Sequence, residues 1–384
     1  MKLRRMMWTG LGVAILLFLA VGGGWLFSLP ASPGADSAPP VPEAELRAMH
    51  EALRPPKRQR PLIATIAIND ATETTDYLMP YGVLKRADVA DIVALATSPG
   101  PVKLFPALTV EPDATIAQFD AQYPDGADYV IVPAMSRDDD PQVLQWIRQQ
   151  AAKGATIIGV CAGAKVVAAA GLLDGKSATT HWYYLKGMLR RHPQISYVAD
   201  RRVVVDERVA TTTGVSASMP MALTLIEAIA GREKADEVAR GLGMPHWSVR
   251  HDSSAFGFTR PFAATALINS MALWNREQLG VPLRAGVDEV SLALVADAWS
   301  RTYRSQALTY AAGGQPVETG HGMRVIPDRL VASWPAGESV PDTESLKPAQ
   351  ALDQALAGIA DRYGDDTAEL VAMQLEYPWR GAGR

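Results

Sequence analysis

Gly159 to Trp182, GVCAGAKVVAAAGLLDGKSATTHW, carries Cys161, the sole cysteine of a 384-residue chain. The apolar run Ala155 to Val160 before it has the character of a buried parallel strand. Ala162-Gly163-Ala164 after it are small, and Lys165 to Leu173 read as a helix. A strand that turns sharply into a helix through small residues is the pattern of a nucleophile elbow, which lifts the apex side chain clear of the sheet. Small neighbours let the backbone bend and a substrate approach. The helix start favours a thiolate, so Cys161 is expected to titrate below the roughly 8.5 of a free thiol. The alternative is a buried, inert cysteine.

Outward from the elbow, strands and helices alternate. Leu62 to Ile68, Ile92 to Ala96 and Tyr129 to Val132 read as apolar strands. Tyr77 to Arg86 and Pro141 to Lys153 read as helices, the second with Val143, Leu144, Ile147 and Ala151 at helical spacing. Val203 to Val205 and Val209 to Thr212 read as strands, and Met221 to Ala230 and Glu233 to Leu242 as helices. This alternation predicts an α/β fold, a parallel sheet sandwiched by helices, with its site at the carboxyl ends of the strands.

The elbow Gly159-Val160-Cys161-Ala162-Gly163, the helix end Ala169 to Gly175 and Ala178-Thr179-Thr180-His181-Trp182 together resemble the ThiJ/PfpI superfamily, with its flavodoxin-like, class I glutamine amidotransferase-like fold. Asp128 to Pro133 and Ala210 to Ala217 add to the likeness, which is strongest toward the branch of isonitrile hydratases and GlxA-type regulators. The resemblance implies that Cys161 is the nucleophile, that His181 lies close to the thiol, and that Asp76 is the acid approaching it from beyond the first strand. Read from the residues alone, Asp76 is equally an N-cap for the helix at Tyr77, and His181 a core histidine bonded to a carbonyl. Backbone donors at Ala134 and Ala162 would face an oxyanion. Relatives often carry Pro-Gly-Gly where this chain has Pro133-Ala134-Met135, and isonitrile-hydratase-like relatives a threonine where it has Ala162. Met219 stands where relatives often show an acid.

A formal charge of −4 gives no reason to expect a nucleic-acid partner. One cysteine excludes an intramolecular disulfide and a Cys-rich metal site. No glycine loop for phosphate and no metal signature is present, so no cofactor is expected; His246, His251 and Asp252 match no standard ligand spacing and read as a polar loop.

Lys2, Arg4 and Arg5 precede an uncharged stretch from Met6 to Leu29, long enough to span a bilayer. The basic flank predicts a cytoplasmic start and an extracytoplasmic globular part, periplasmic or extracellular. A cleaved signal peptide is the rival reading. The domains expected are an anchor over 1–30, a proline-rich linker over 31–58, the ThiJ/PfpI-like domain over 59–258 and a C-terminal α/β extension over 259–384.

The extension resembles no helix-turn-helix domain. Pro261 to Leu279 reads as a helix. Beyond it, Gln315-Pro316-Val317 and Val325-Ile326-Pro327-Asp328 echo Gly100-Pro101-Val102 and Val110-Glu111-Pro112-Asp113 at equal spacing. Ile359 to Arg362 and Ala368 to Ala372 resemble Ile229 to Arg232 and Ala235 to Ala239. A truncated second copy, without an elbow of its own, is the expectation. Half a domain buries no core alone, so it is expected to pack on the first domain. The function expected is a thiol nucleophile acting on a small amide, nitrile-like or carbonyl electrophile. The alternatives are a non-catalytic ligand sensor in the same pocket and a redox sensor at Cys161.

Overall fold

The computed structural model describes residues 20–33, 38–272, 274, 276–379 and 381. In chain order the first part runs α1 (Glu43–Ala52), β1 (Leu62–Ala67), β2 (Asp70–Glu73), α2 (Thr74–Ala87), β3 (Asp91–Ala96), β4 (Val102–Phe105), β5 (Thr109–Glu111), β6 (Ala114–Thr115), α3 (Ile116–Gln122), β7 (Tyr129–Val132) and α4 (Pro141–Ala152). Next come β8 (Thr156–Gly159), α5 (Gly163–Ala169), β9 (Ser177–Ala178), α6 (Trp182–Arg191), β10 (Ser196–Tyr197), β11 (Val203–Asp206), β12 (Val209–Thr212), α7 (Ser218–Ala230) and α8 (Arg232–Leu242). The tail adds α9 (Arg260–Met271), β13 (Glu277–Pro282), α10 (Glu289–Ser300), β14 (Ser305–Ala311), β15 (Val317–Glu318), β16 (Arg324–Ile326), β17 (Arg329–Leu330), α11 (Pro348–Tyr363) and α12 (Asp365–Gln374).

The main sheet is ordered β11-β12-β8-β7-β1-β3-β6, parallel except for the β11–β12 hairpin. Its central strands are mostly apolar on both sides because both faces are covered, with buried threonines such as Thr65, Thr156 and Thr211 among them. Ile63 and Ala67 enter one core and Leu62, Ala64 and Ile66 the other, following the two-residue period of a strand. The first core is shared with the tail: Leu279, Val290, Trp299, Val325, Leu356 and Leu375 pack in the same cluster as Ile63, Tyr77 and Leu225.

One expected element is corrected. The helix read over Pro261 to Leu279 ends at Met271, and Leu279 lies fully buried in β13. Parallel pairing with β14 draws Glu277 to Pro282 into extended chain, overriding the helical spacing of the residues before it. Among the described residues no helix is long and apolar enough to cross a membrane. Residues 1–19, most of the expected span, lie outside them.

Candidate active site

β8 lies between β7 and β12 in the main sheet and delivers Cys161 at its carboxyl end. Cys161 has φ +55°, the left-handed region that a side chain with a Cβ rarely occupies. Its surroundings hold it there. Thr212 Oγ1 accepts the Cys161 N–H at 2.9 Å, and the Thr180 hydroxyl donates to the Cys161 carbonyl at 2.9 Å. The Thr179 N–H is tied to Thr211 Oγ1 at 2.9 Å. The two threonine runs therefore brace the elbow. Gly163 is required by close approach, since a Cβ there would sit 1.9 Å from the Val132 carbonyl oxygen.

The acidic side of the site is built at the start of α2. Glu73 is the N-cap and accepts the Asp76 N–H at 2.5 Å, with the Thr75 hydroxyl donating to the same carboxylate. Asp76 is thus free of the capping duty read as its alternative. Its Oδ2 accepts the Ala134 N–H at 3.1 Å, while the buried Oδ1 has no hydrogen-bond partner. Arg301, at the end of α10, reaches Glu73 Oε1 at 2.5 Å and Asp297 Oδ2 at 2.6 Å. Three buried carboxyls thus share one guanidinium, which cannot neutralise them all. Burial, then the neighbouring Glu73, holds the Asp76 carboxyl well above its usual range. Burial and Asp297, only partly offset by Arg301, raise Glu73 to about 7. Burial and Glu73 both disfavour the Asp76 carboxylate and favour its acid form.

Two expectations are corrected here. The Ala134 N–H is consumed by Asp76, so it does not face an oxyanion; the Ala162 N–H does lie against the Cys161 sulfur and favours its anion. The thiol is nevertheless pushed well above its usual range, by burial first and then by Asp76, Glu73 and Glu376. Desolvation and the three nearby acidic groups outweigh the start of a seven-residue helix.

His181 is held differently from what the resemblance implied. Its Nε2 donates to the Gln374 carbonyl at 2.8 Å, and its Nδ1 accepts the Tyr183 N–H at 3.1 Å, capping α6. Both ring nitrogens are engaged, and burial shifts the imidazole downward against the opposing pull of Glu376. As held, it offers no free nitrogen to the thiol. Its role is to join the elbow region to the tail.

That junction centres on Glu376, which the sequence did not single out. Glu376 is buried at φ +51°. Its carboxylate accepts the Trp182 N–H at 2.7 Å and the Gly214 N–H at 2.8 Å and lies 3.3 Å from His251 Nε2. Burial opposes its ionisation, but His181, His251 and the Gly214 N–H outweigh that and hold it near 2. His251, read as part of a polar loop, is buried and stacked on Phe256. Among the described residues, Asp288, Glu289 and His321 are grouped closely enough to suggest a metal site, but Asp288 is ion-paired to Arg86 and His321 Nδ1 is bonded to Glu289 at 2.7 Å.

A parallel sheet with a lone cysteine at a strand–helix elbow beside a buried acid defines a class of thiol-centred α/β domains. Residues 63–228 match the DJ-1/PfpI family, and this part of the chain belongs to it. The chain is 29% identical to protein dj-1beta of Drosophila melanogaster over 184 residues, 47% of this chain and 95% of that protein. The crystal structure of that protein superposes with a TM-score of 0.44 at 28% identity, covering 49% of this chain and all of the other. Isonitrile hydratase of Pseudomonas putida is 40% identical over 101 residues, 26% of this chain and 42% of that protein. The HTH-type transcriptional regulator CdhR of Pseudomonas aeruginosa is 35% identical over 99 residues, 26% of this chain and 29% of that protein.

Proposed function

We propose that this chain is a cysteine-dependent enzyme acting on a small electrophile with a polarised carbonyl, amide or nitrile-like carbon. One observation carries the reading: a strained, buried Cys161 stands near a buried Asp76 whose second oxygen has no partner and whose carboxyl is held above its usual range by burial. A neutral thiol and a neutral carboxylic acid suit addition across a multiple bond. The Cys161 sulfur forms a bond to the substrate carbon. Asp76 gives its proton to the substrate oxygen or nitrogen, and the thiol proton replaces it on Asp76. With a nitrile-like carbon, water adds to the resulting thioimidate and the thiol leaves as the amide forms. With an amide, the amine leaves carrying the proton, and water then cleaves the thioester to the acid and restores the thiol. With a carbonyl, the addition gives a hemithioacetal.

A second reading, a non-catalytic ligand or redox sensor, is favoured by the loss of the Ala134 N–H to Asp76, which removes one donor for a developing oxyanion. The two differ in turnover. Incubating the purified protein with a panel of amides, nitrile-like compounds and carbonyls, and following product with adduct mass, decides between them. An enzyme gives more than one product per protein, abolished by Cys161→Ser. Stoichiometric adduct or sulfinic acid at Cys161, without turnover, contradicts the enzymatic reading.

The same proposal places the domain outside the cytoplasm on an N-terminal anchor. Its support is the uncharged stretch Met6 to Leu29 behind a basic flank. Exposed apolar residues lie next to where that stretch ends: Trp25 contacts Phe258, the Arg260 N–H is bonded to the Pro30 carbonyl, and Leu267, Ile268 and Met271 of α9 are exposed. Fractionation should recover the full-length chain in membranes. A shortened, soluble extracytoplasmic form would favour the cleaved signal peptide.

A further inference from the structure

Residues of the tail and of the first domain correspond at an offset of 215, the interval from Val110 to Val325. At that offset β5 corresponds to β16. The two strands pair antiparallel, with Val110 opposite Val325, Thr109 opposite Ile326 and Glu111 opposite Arg324. The counterparts of each pair are themselves paired, Thr109–Ile326 mapping onto Arg324–Glu111 and Val110–Val325 onto itself, the signature of a two-fold axis between equivalent surfaces. The same offset relates Glu73 to Asp288. Both are helix N-caps, and each accepts the N–H three residues on, from Asp76 and Ser291. It relates Arg86 to Arg301, and the two resulting ion pairs cross the axis in opposite directions: Arg301 with Glu73, Arg86 with Asp288. Strand order agrees. β13-β14-β17 is parallel, as β1-β3-β6 is. The helix pair α11–α12 turns at Gly364 (φ 91°, ψ 157°), as α7–α8 turns at Gly231 (φ 88°, ψ 165°).

We infer that residues 277–376 are a second, shortened copy of the domain, folded onto the first about a local two-fold axis as a built-in partner, and that this copy completes the site by placing Arg301 and Glu376 beside it. The copy has no cysteine, and Ser291 stands where the first copy has Asp76. The duplicated arrangement is therefore functional on one side only. Arg301 is a positioning residue: it fixes Glu73, which holds the first turn of α2 and so Asp76. Arg301 also interacts electrostatically with the thiol, favouring its anion, whereas Asp76, Glu73, Glu376 and Tyr184 act on it in the opposite sense. Nothing in this assignment depends on whether the site turns over a substrate.

The two-fold relation supplies its own control. Arg301→Gln and Arg86→Gln each remove one arm of an equivalent ion pair, but only the first lies beside a thiol. Both variants of the full chain should lose comparable thermal stability, and the wild type should have the mass of one chain by light scattering, corrected for detergent where it is used. Arg301→Gln should raise the pH midpoint of Cys161 alkylation, slowing the reaction at fixed pH by about threefold or more, roughly half a pH unit. Arg86→Gln should leave the midpoint in place. Equal shifts in both variants, no shift in Arg301→Gln, or a wild type that associates in pairs would overturn the inference. Should Arg301→Gln not fold, Arg301→Lys and Arg86→Lys replace the pair. The same asymmetry is expected, and its absence overturns the inference equally.

Discussion

Glu376 shows how far a single residue's protonation reaches in this molecule. Its carboxyl ionises near 2 in the folded chain against an ordinary 4.5. A depressed carboxyl contributes stability that is fully present above about 4.5 and is lost as the pH falls toward 2. The shift corresponds to about 3 kcal/mol. Denaturant unfolding at pH 7 and pH 3 should show this loss in the wild type, and Glu376→Gln should be less stable at pH 7 with a flatter acid limb. Glu73 acts with the opposite sign. Its raised carboxyl favours the folded state while protonated, so its contribution falls as the pH rises from about 4.5 through 7. Glu73→Gln should remove that decline. If its stability falls over this range as steeply as the wild type's, Glu73 is not the group responsible. None of these roles was legible in the sequence. Arg301 looks like any basic residue at a helix end, and Glu376 and His251 like solvated charges near a terminus and in a loop. Their meaning comes from contacts more than a hundred residues away, which no local pattern encodes.

At the scale of elements, the elbow was legible because its requirements are local. A buried apolar strand, small residues at the bend and a helix after it are consecutive in the chain. The strand-helix alternation was legible for the same reason. What misled was α9: Ala264, Leu267, Ile268, Met271 and Trp274 repeat as a buried helix face would, yet Leu267, Ile268, Met271 and Trp274 are exposed. The same logic that exposes the elbow gives a sharp expectation for Gly163. Any side chain there meets the Val132 carbonyl, so α5 would have to move away from β7. Gly163→Ala should destabilise the protein by about 3 kcal/mol or more, the upper range for overpacking. Thermal unfolding measures it, and a loss under about 1 kcal/mol would mean that the close approach relaxes at little cost.

The whole molecule shares one core between its first domain and its tail. A chain ending at Gly257 would bare the surface covered by Val325, Leu356, Ile359 and Leu375. It would also lose Arg301 and Glu376. Light scattering should find that shorter chain aggregated or paired, since an apolar face of this kind drives association; an equally stable monomer would make the tail an appendage. The repeats at Val102/Val317 and Val110/Val325 were visible in the sequence, but the reciprocal ion pairs were not, because they exist only once the two parts face each other. The thiol's protonation is therefore a property of the whole chain: Asp76 and Glu73 come from its first third, and Glu376 from its last turn. Alkylation rate of Cys161 against pH, in the wild type and in Asp76→Asn, reads it directly. The wild-type midpoint should lie above the roughly 8.5 of a free thiol, and Asp76→Asn should lower it, because a carboxyl that can ionise beside the sulfur opposes the thiolate and an amide cannot. A wild-type midpoint at or below that value, unmoved by Asp76→Asn, would contradict a thiol held up by burial and its acidic neighbours.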